Sequence, residues 1–194
     1  MTKNILILKG SPRERGNSAT LAERAAAGAR TAGAQVESIY LHGLDIRPCD
    51  GCDECRNTNM CIIPDDMNSL YPKLAAADAI ILASPIYWFN FSAQLKLCID
   101  RWYGFRGNSW EDVSHKKFGI ILSYGDSDLY TSGAINAIHT FETICRFLKS
   151  EIVGIVHGSL YEVGEAENTP SCCNGRMNLA SSWPQINLLK NNTQ

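Results

Sequence analysis

The sequence predicts an α/β protein, a five-stranded parallel sheet covered by helices on both faces. Three observations carry this. Five short apolar runs recur along the chain, as strands buried on both faces require. Four segments with helical spacing separate them, and right-handed crossovers of that kind deposit helices on both faces of the sheet. The chain has 194 residues, 45% of them hydrophobic, which is enough for one core.

The first strand centres on Ile5, Leu6, Ile7 and Leu8, and Gly10, Ser11 and Pro12 stop it. Arg13, Arg15 and Gly16-Asn17-Ser18 follow, then the alanine-rich helix Ala19–Ala32, for which Asn17 or Ser18 offers an N-cap. Unpaired N–H groups and the helix dipole favour an anion at such a strand–loop–helix junction. Ser11, Asn17, Ser18 and Thr20 add neutral donors, and Arg13 or Arg15 adds charge, so the expected ligand group is a phosphate. The plainer reading is a capped helix after a turn. Neither GxxxxGK(S/T) nor GxGxxG is present, which argues against a nucleoside triphosphate or a Rossmann dinucleotide.

The second strand is Gln35–Leu41, followed by the long polar segment His42–Asp65 with four cysteines in PCDGCDECRNTNMC. A loop of that length is functional or disordered. Asp65 and Asp66 can cap a helix bearing Met67, Leu70, Tyr71 and Leu74, with a kink or late start expected at Pro72. The third strand, Asp78–Ser84, ends in Pro85-Ile86-Tyr87-Trp88-Phe89-Asn90. Helix Ser92–Tyr103 carries Leu95, Cys98, Ile99 and Trp102 on one face. After a polar loop over 104–116, the fourth strand, Lys117–Ser123, opens into Tyr124-Gly125-Asp126-Ser127-Asp128. Helix Ser132–Leu148 and a fifth strand, Glu151–His157, complete the pattern. One domain over 1–157 is expected, with 158–194 an irregular surface tail, part of it mobile. Loops 10–18, 84–91 and 123–131 should meet beyond the carboxyl ends of the strands, where such sheets bind ligands.

A net charge of −2 leaves no nucleic-acid footprint, and no apolar run approaches a membrane span. The first strand starts too close to Met1 to leave room for a signal peptide, so a cytoplasmic protein is expected. In a reducing compartment, eight cysteines point to metal, cluster or redox ligands rather than disulfides. His42, His115, His139 and His157 are scattered, and no Ser-His-Asp or paired-carboxylate constellation occurs, so no catalytic side chain is assigned.

Three stretches, GSPRERGNSATL (10–21), CDGCDECRNTNMCIIPDDM (49–67) and SPIYWFNFSAQLKLCIDRWYG (84–104), resemble the NAD(P)H-dependent FMN reductase family of the flavodoxin-like superfamily. The resemblance covers roughly residues 3–157. It implies a three-layer flavodoxin-like sandwich of strand order 2-1-3-4-5 with bound FMN. Ser11, Arg13, Asn17 and Ser18 would then hold the phosphate. Pro85, Ile86, Tyr87, Trp88 and Phe89 would wrap the isoalloxazine, and Ser123, Tyr124, Gly125 and Asp126 would close its other side. For the aromatic residues, packing at the sheet edge is the plainer alternative. The resemblance further implies NAD(P)H as hydride donor, a flavin, quinone or similar small molecule as electron acceptor, and a homodimer or homotetramer. The family usually ends in an amphipathic helix after the fifth strand. This chain has SCCNGRMNLASSWPQINLLKNNTQ instead, which leaves the outer helical layer incomplete.

Cys49, Cys52, Cys55 and Cys61 are spaced C-x2-C-x2-C-x5-C. Four thiolates in so short a run have the ligand count of a [4Fe–4S] cluster. The spacing also matches the iron–sulfur flavoproteins within the family. Structural zinc more often takes two separated C-x2-C pairs. A metal-free lid or subunit contact is the third alternative. Three functions follow: an FMN-dependent NAD(P)H oxidoreductase, an iron–sulfur flavoprotein moving electrons between protein partners, or a flavodoxin-type carrier. Carriers of the last kind tend to be strongly acidic, and a charge of −2 counts against it.

Overall fold

Successive side chains of a strand point to opposite faces of its sheet, and β1 (Asn4–Lys9) buries both. The computed structural model, which describes residues 2–58, 60–168 and 177–179, places Leu6 and Leu8 in one apolar cluster and Ile5 and Ile7 in another. β2 (Gln35–Tyr40) pairs with β1, and β3 (Ala79–Tyr87) repeats the division, with Ile80 and Leu82 opposite Ile81 and Ala83. β4 (Asn90–Phe91) turns back antiparallel on the end of β3. β5 (Lys117–Tyr124) and β6 (Glu151–Ser159) complete a parallel set in the order β2-β1-β3-β5-β6. This is the expected order 2-1-3-4-5, renumbered by the insertion of β4. β7 (Met177–Leu179) adds an antiparallel strand beyond β6. β4 and β7 are too short to leave a period in the sequence.

α1 (Asn17–Thr31) covers one face through Leu21, Ala22, Ala26 and Ala29. A short helical turn, α2 (Cys55–Thr58), lies within the cysteine loop. The other face carries α3 (Met67–Ala76), α4 (Ala93–Asp100) and α5 (Ala134–Phe147), which bury Met67, Leu74, Leu95, Cys98 and Phe141 among others. Completely buried phenylalanines such as Phe118 and Phe141 each contribute about 1.5–3 kcal/mol. α3 runs through Pro72 without starting late. Pro72 is exposed, so water can meet the carbonyl that its missing N–H leaves unpaired. α4 stops at Asp100, and a 3-10 segment, Arg101–Asn108, replaces the expected last turn.

The thinner face is finished by chain expected to belong to the irregular tail. β6 continues through Gly158 to Ser159, and the Leu160 N–H donates to the Tyr124 carbonyl over 2.7 Å. Leu160 and Ala166 are buried with the α1 cluster, Ala166 within a short helical turn, α6 (Glu165–Asn168). The rest of the expected tail, apart from β7, lies outside the described residues, Cys172 and Cys173 included. Among the described residues no helix is long and apolar enough to cross a membrane.

Candidate functional site

Beyond the carboxyl ends of β1, β3 and β5 lies a pocket of about 170 Å3. Ser11, Arg13, Gly16, Asn17 and Ser18 line it from the first loop and α1. Pro85, Ile86 and Tyr87 come from β3, Ser123, Tyr124 and Gly125 from β5 and the residue after it, and Leu160 and Tyr161 from the chain after β6. Ten of the fourteen residues expected at a cofactor site therefore meet here. Thr20, Trp88, Phe89 and Asp126 do not line it, while Gly16, Leu160 and Tyr161 are additions.

The first and second loops are locked together behind this pocket. The Gly10 N–H donates to the Ala83 carbonyl (2.8 Å), and Ser92 Oγ donates to the Gly10 carbonyl (2.6 Å). Ser84 Oγ accepts from the Ser92 N–H (2.9 Å). A side chain at Gly10 would come within 2.8 Å of Leu95 Cβ and Ser92 Oγ, so glycine is required for the close approach. Ser92 is also the N-cap of α4, accepting from the Leu95 N–H. Its sequence signal was that capping position, and nothing in the sequence linked it to Gly10.

α1 opens on Gly16 as N-cap, so no side chain caps the helix end that faces the pocket. Ser11 Oγ shapes the preceding turn, donating to the Arg13 carbonyl and accepting from the Arg13 N–H. Ser18 Oγ is buried and has no hydrogen-bond partner. An unmatched buried hydroxyl costs about 1–3 kcal/mol, and here it borders a pocket that a ligand oxygen could enter.

Asn17 was expected on the phosphate, and its side chain is engaged elsewhere. Nδ2 donates to the Leu160 and Glu162 carbonyls (3.2 and 2.8 Å), and Oδ1 accepts from the Gly164 and Ala166 N–H groups (3.2 and 3.1 Å). An asparagine amide has two donor hydrogens and one acceptor oxygen with two lone pairs. All are used to clamp residues 160–166, so the Asn17 amide holds the pocket wall together.

Trp88 and Phe89 form the turn between β3 and β4, with φ of 48° and 67°. A two-residue hairpin turn can require positive φ at both positions, which costs non-glycine residues about 1–3 kcal/mol each. Packing holds the turn: the Asn136 side chain donates to the Phe89 carbonyl, and a Cβ at Gly133 would lie 2.6 Å from Phe89 Cα. Trp88 is 93% exposed. The turn thus carries the two rings past the pocket, whereas Tyr87 lines it. Thr20 sits half-buried further along α1, and Asp126 is exposed, accepting the Ser127 N–H.

At the back of the pocket the Tyr124 hydroxyl lies 3.0 Å from His157 Nδ1, and the rings stack. Burial lowers the His157 pKa and raises that of Tyr124. Both shifts favour the neutral forms, and one hydrogen bond joins the hydroxyl to the imidazole.

Cys49, Cys52, Cys55 and Cys61 all line a second, small pocket of about 20 Å3, together with Arg101, Tyr103 and Gly104. Cys49 and Cys52 are exposed and Cys55 is buried. Burial, then the neighbouring Cys61, pushes the Cys55 thiol up. Arg101 and Asp65 form a salt bridge beside the pocket, with both side chains completely buried. Burial alone would raise the Asp65 pKa. Hydrogen bonds from Arg101 and the Arg47 N–H outweigh it and hold the carboxyl below its ordinary value. Among the described residues no three His, Cys, Asp or Glu side chains stand close enough to share one metal ion. A four-iron cluster distributes its thiolates over separate irons, so its ligands surround a pocket instead of converging on a point. Four thiols bordering one pocket are the donor type and count that such a cluster takes, and the pocket between them measures about 20 Å3. Cys98 and Cys145 are core residues whose thiols burial pushes up to about 12.

Comparison with known proteins matches residues 3–157 to the NADPH-dependent FMN reductase family. An iron–sulfur flavoprotein of Methanosarcina thermophila is 35% identical over 120 residues, which is 62% of each chain. Across this and two further iron–sulfur flavoproteins, the matched region spans only 45% to 62% of the relative's length. A Bacillus subtilis protein named as an NAD(P)H-dependent FMN-containing oxidoreductase is 30% identical over 158 residues, covering 79% of this chain and 83% of that one. Among solved structures, an NAD(P)H:quinone oxidoreductase from Methanothermobacter marburgensis superposes with a TM-score of 0.68 at 19% identity, covering 87% of this chain and 90% of that one. This last likeness is one of fold.

Proposed function

The chain belongs to the NADPH-dependent FMN reductase family, and from that premise we propose that it is an FMN-dependent oxidoreductase that takes hydride from NAD(P)H and passes electrons to a flavin, quinone or similar small acceptor. The observation that carries the reading is the buried, partnerless Ser18 hydroxyl at the uncapped start of α1, in a pocket also lined by Arg13. That is the chemistry of a phosphate seat. FMN supplies hydride and single-electron chemistry when bound. The chain's own residues bind and orient it. Ser11, Ser18 and the α1 N-terminus take the phosphate, with Arg13 adding charge. Pro85, Ile86 and Tyr87 take one side of the ring system, and Ser123, Tyr124 and Gly125 the other. Tyr161 lies beside Gly125 and lines the pocket. No side chain need act as acid or base on the substrate, in keeping with the neutral Tyr124–His157 pair.

Titration with FMN and riboflavin tests this. Arg13→Ala should weaken FMN and spare riboflavin, because only FMN carries the phosphate. Asn17→Ala should weaken both, because it releases the 160–166 wall. Equal loss of both ligands in Arg13→Ala would overturn the phosphate assignment.

A second reading is favoured by the four cysteines lining one pocket beside a buried arginine. In it Cys49, Cys52, Cys55 and Cys61 hold a [4Fe–4S] cluster, and the protein moves electrons between protein partners. An anaerobic absorbance spectrum with iron analysis separates the two readings. Less than about one iron per chain with full flavin content leaves the simple reductase. A cytoplasmic homodimer or homotetramer suits both, supported by the exposed Tyr87, Trp88 and Phe89.

A further inference from the structure

A buried ion pair is weak evidence of a stability role, because removing two charges from water costs about what their attraction returns. Arg101 and Asp65 are such a pair, and they stand beside the cysteine loop. The loop has little regular structure to hold it: α2 is four residues long, and Gly51 and Asp53 take positive φ. Something else must fix where its sulfurs lie.

Asp65 accepts from both terminal nitrogens of Arg101, from the Arg47 N–H (2.9 Å) and from the Met67 N–H (3.1 Å). It is therefore fixed at the start of α3. The guanidinium is held in turn by the Arg47 carbonyl (2.9 Å), and Tyr71 donates to the Arg101 carbonyl (2.8 Å). With its plane set by these contacts, Arg101 points Nη2 at Cys61 Sγ over 3.2 Å. The loop's other residues are tied to this frame as well, since Arg47 Nη2 donates to the Pro64 carbonyl.

We propose that Arg101 is the positioning residue of the four-cysteine centre, donating a charge-assisted N–H···S bond that seats Cys61 and stabilises the reduced centre. This rests on the iron–sulfur reading above. Donors to ligand sulfur raise a cluster's reduction potential because they stabilise the added negative charge. Residues that orient metal ligands typically contribute 10- to 100-fold to metal retention. Lysine cannot replace the arginine, because a single ammonium has no planar fork to bridge Asp65 and Cys61 together.

The test uses the full chain with FMN bound, reconstituted anaerobically with ferrous iron and sulfide. Arg101→Met alone strands a buried carboxylate, so two other variants are compared. Arg101→Lys keeps the charge, and the double variant Arg101→Met/Asp65→Leu removes the pair together. Both should keep FMN. Both should give up half their iron at roughly 10- to 100-fold lower chelator concentration. Both should also reduce at a lower midpoint potential than the parent, a readout that a purely structural salt bridge would not move. Unchanged iron retention and potential in both variants would overturn the role of Arg101 and leave the cluster standing. A parent protein that takes up no iron would overturn both together.

Discussion

The two pockets are built in opposite ways. The pocket at the head of the sheet is made largely of backbone: a helix N-terminus, a glycine seat at Gly10 and the ends of three parallel strands. Its polar side chains include three serines and Arg13, and one of the serines, Ser18, has no partner. The cysteine pocket is made of side chains on a long loop, held by one buried guanidinium–carboxylate pair. α4 joins the two regions. Ser92 at its start bonds to Gly10, and Arg101 at its C-cap reaches Cys61. The frame of the first region comes from the fold itself, so the protein's stability should tolerate the loss of the Ser18 hydroxyl. The second is centred on the Arg101–Asp65 pair and should not tolerate the loss of one member.

The sharpest way to break this contrast is Asp65→Ala. It leaves the Arg101 charge buried and unpaired, which costs about 3–5 kcal/mol. Urea unfolding should show a loss of that size. A loss below about 1 kcal/mol would mean that the pair is solvated and the loop held in another way.

A smaller effect is expected from Ser18→Ala. No hydrogen bond is lost in the unliganded protein, so its urea midpoint should stay or rise slightly. Affinity for FMN should nevertheless fall about tenfold or more, the loss of about 1.5–3 kcal/mol for a hydrogen bond to a charged group. Flavin fluorescence quenching measures this. An unchanged affinity would mean that the hydroxyl faces no phosphate.

The smallest effect concerns pH. The folded protein holds His157 below its ordinary pKa, so below about 6.5 the unfolded chain binds the extra proton. Stability from this residue is complete above that pH and is lost as pH falls towards the folded value. His157→Gln should flatten the fall in unfolding free energy between about pH 6.5 and 5. An unaltered slope would assign the acid sensitivity to other groups.

Much of this was legible along the chain, and the exceptions have a common cause. The five parallel strands followed from continuous apolar runs, and their order from the family resemblance that SPIYWFNFSAQLKLCIDRWYG carries. Loop chemistry pointed to Ser11, Arg13 and Ser18, the family resemblance added Tyr124, and all four line one pocket with Pro85. The resemblance groups Trp88 and Phe89 with Tyr87 around the isoalloxazine, and of the three only Tyr87 lines the pocket. A hairpin turn separates neighbours sharply, and residues in the turn take directions that composition does not encode.

What the sequence determined by itself is the local material: strand and helix periods, a polar loop before α1, and four cysteines in a short run. Those depend on spacings of a few residues. The tertiary structure alone decided the pairings over long separations: Asn17 with 160–166, Ser92 with Gly10, and Arg101 with Asp65 and Cys61. Each joins groups dozens of residues apart whose meeting depends on how the crossovers stack. A side chain's partner is then set by where the sheet delivers it, and an asparagine in a phosphate-like motif can become the clamp of a segment more than 140 residues away.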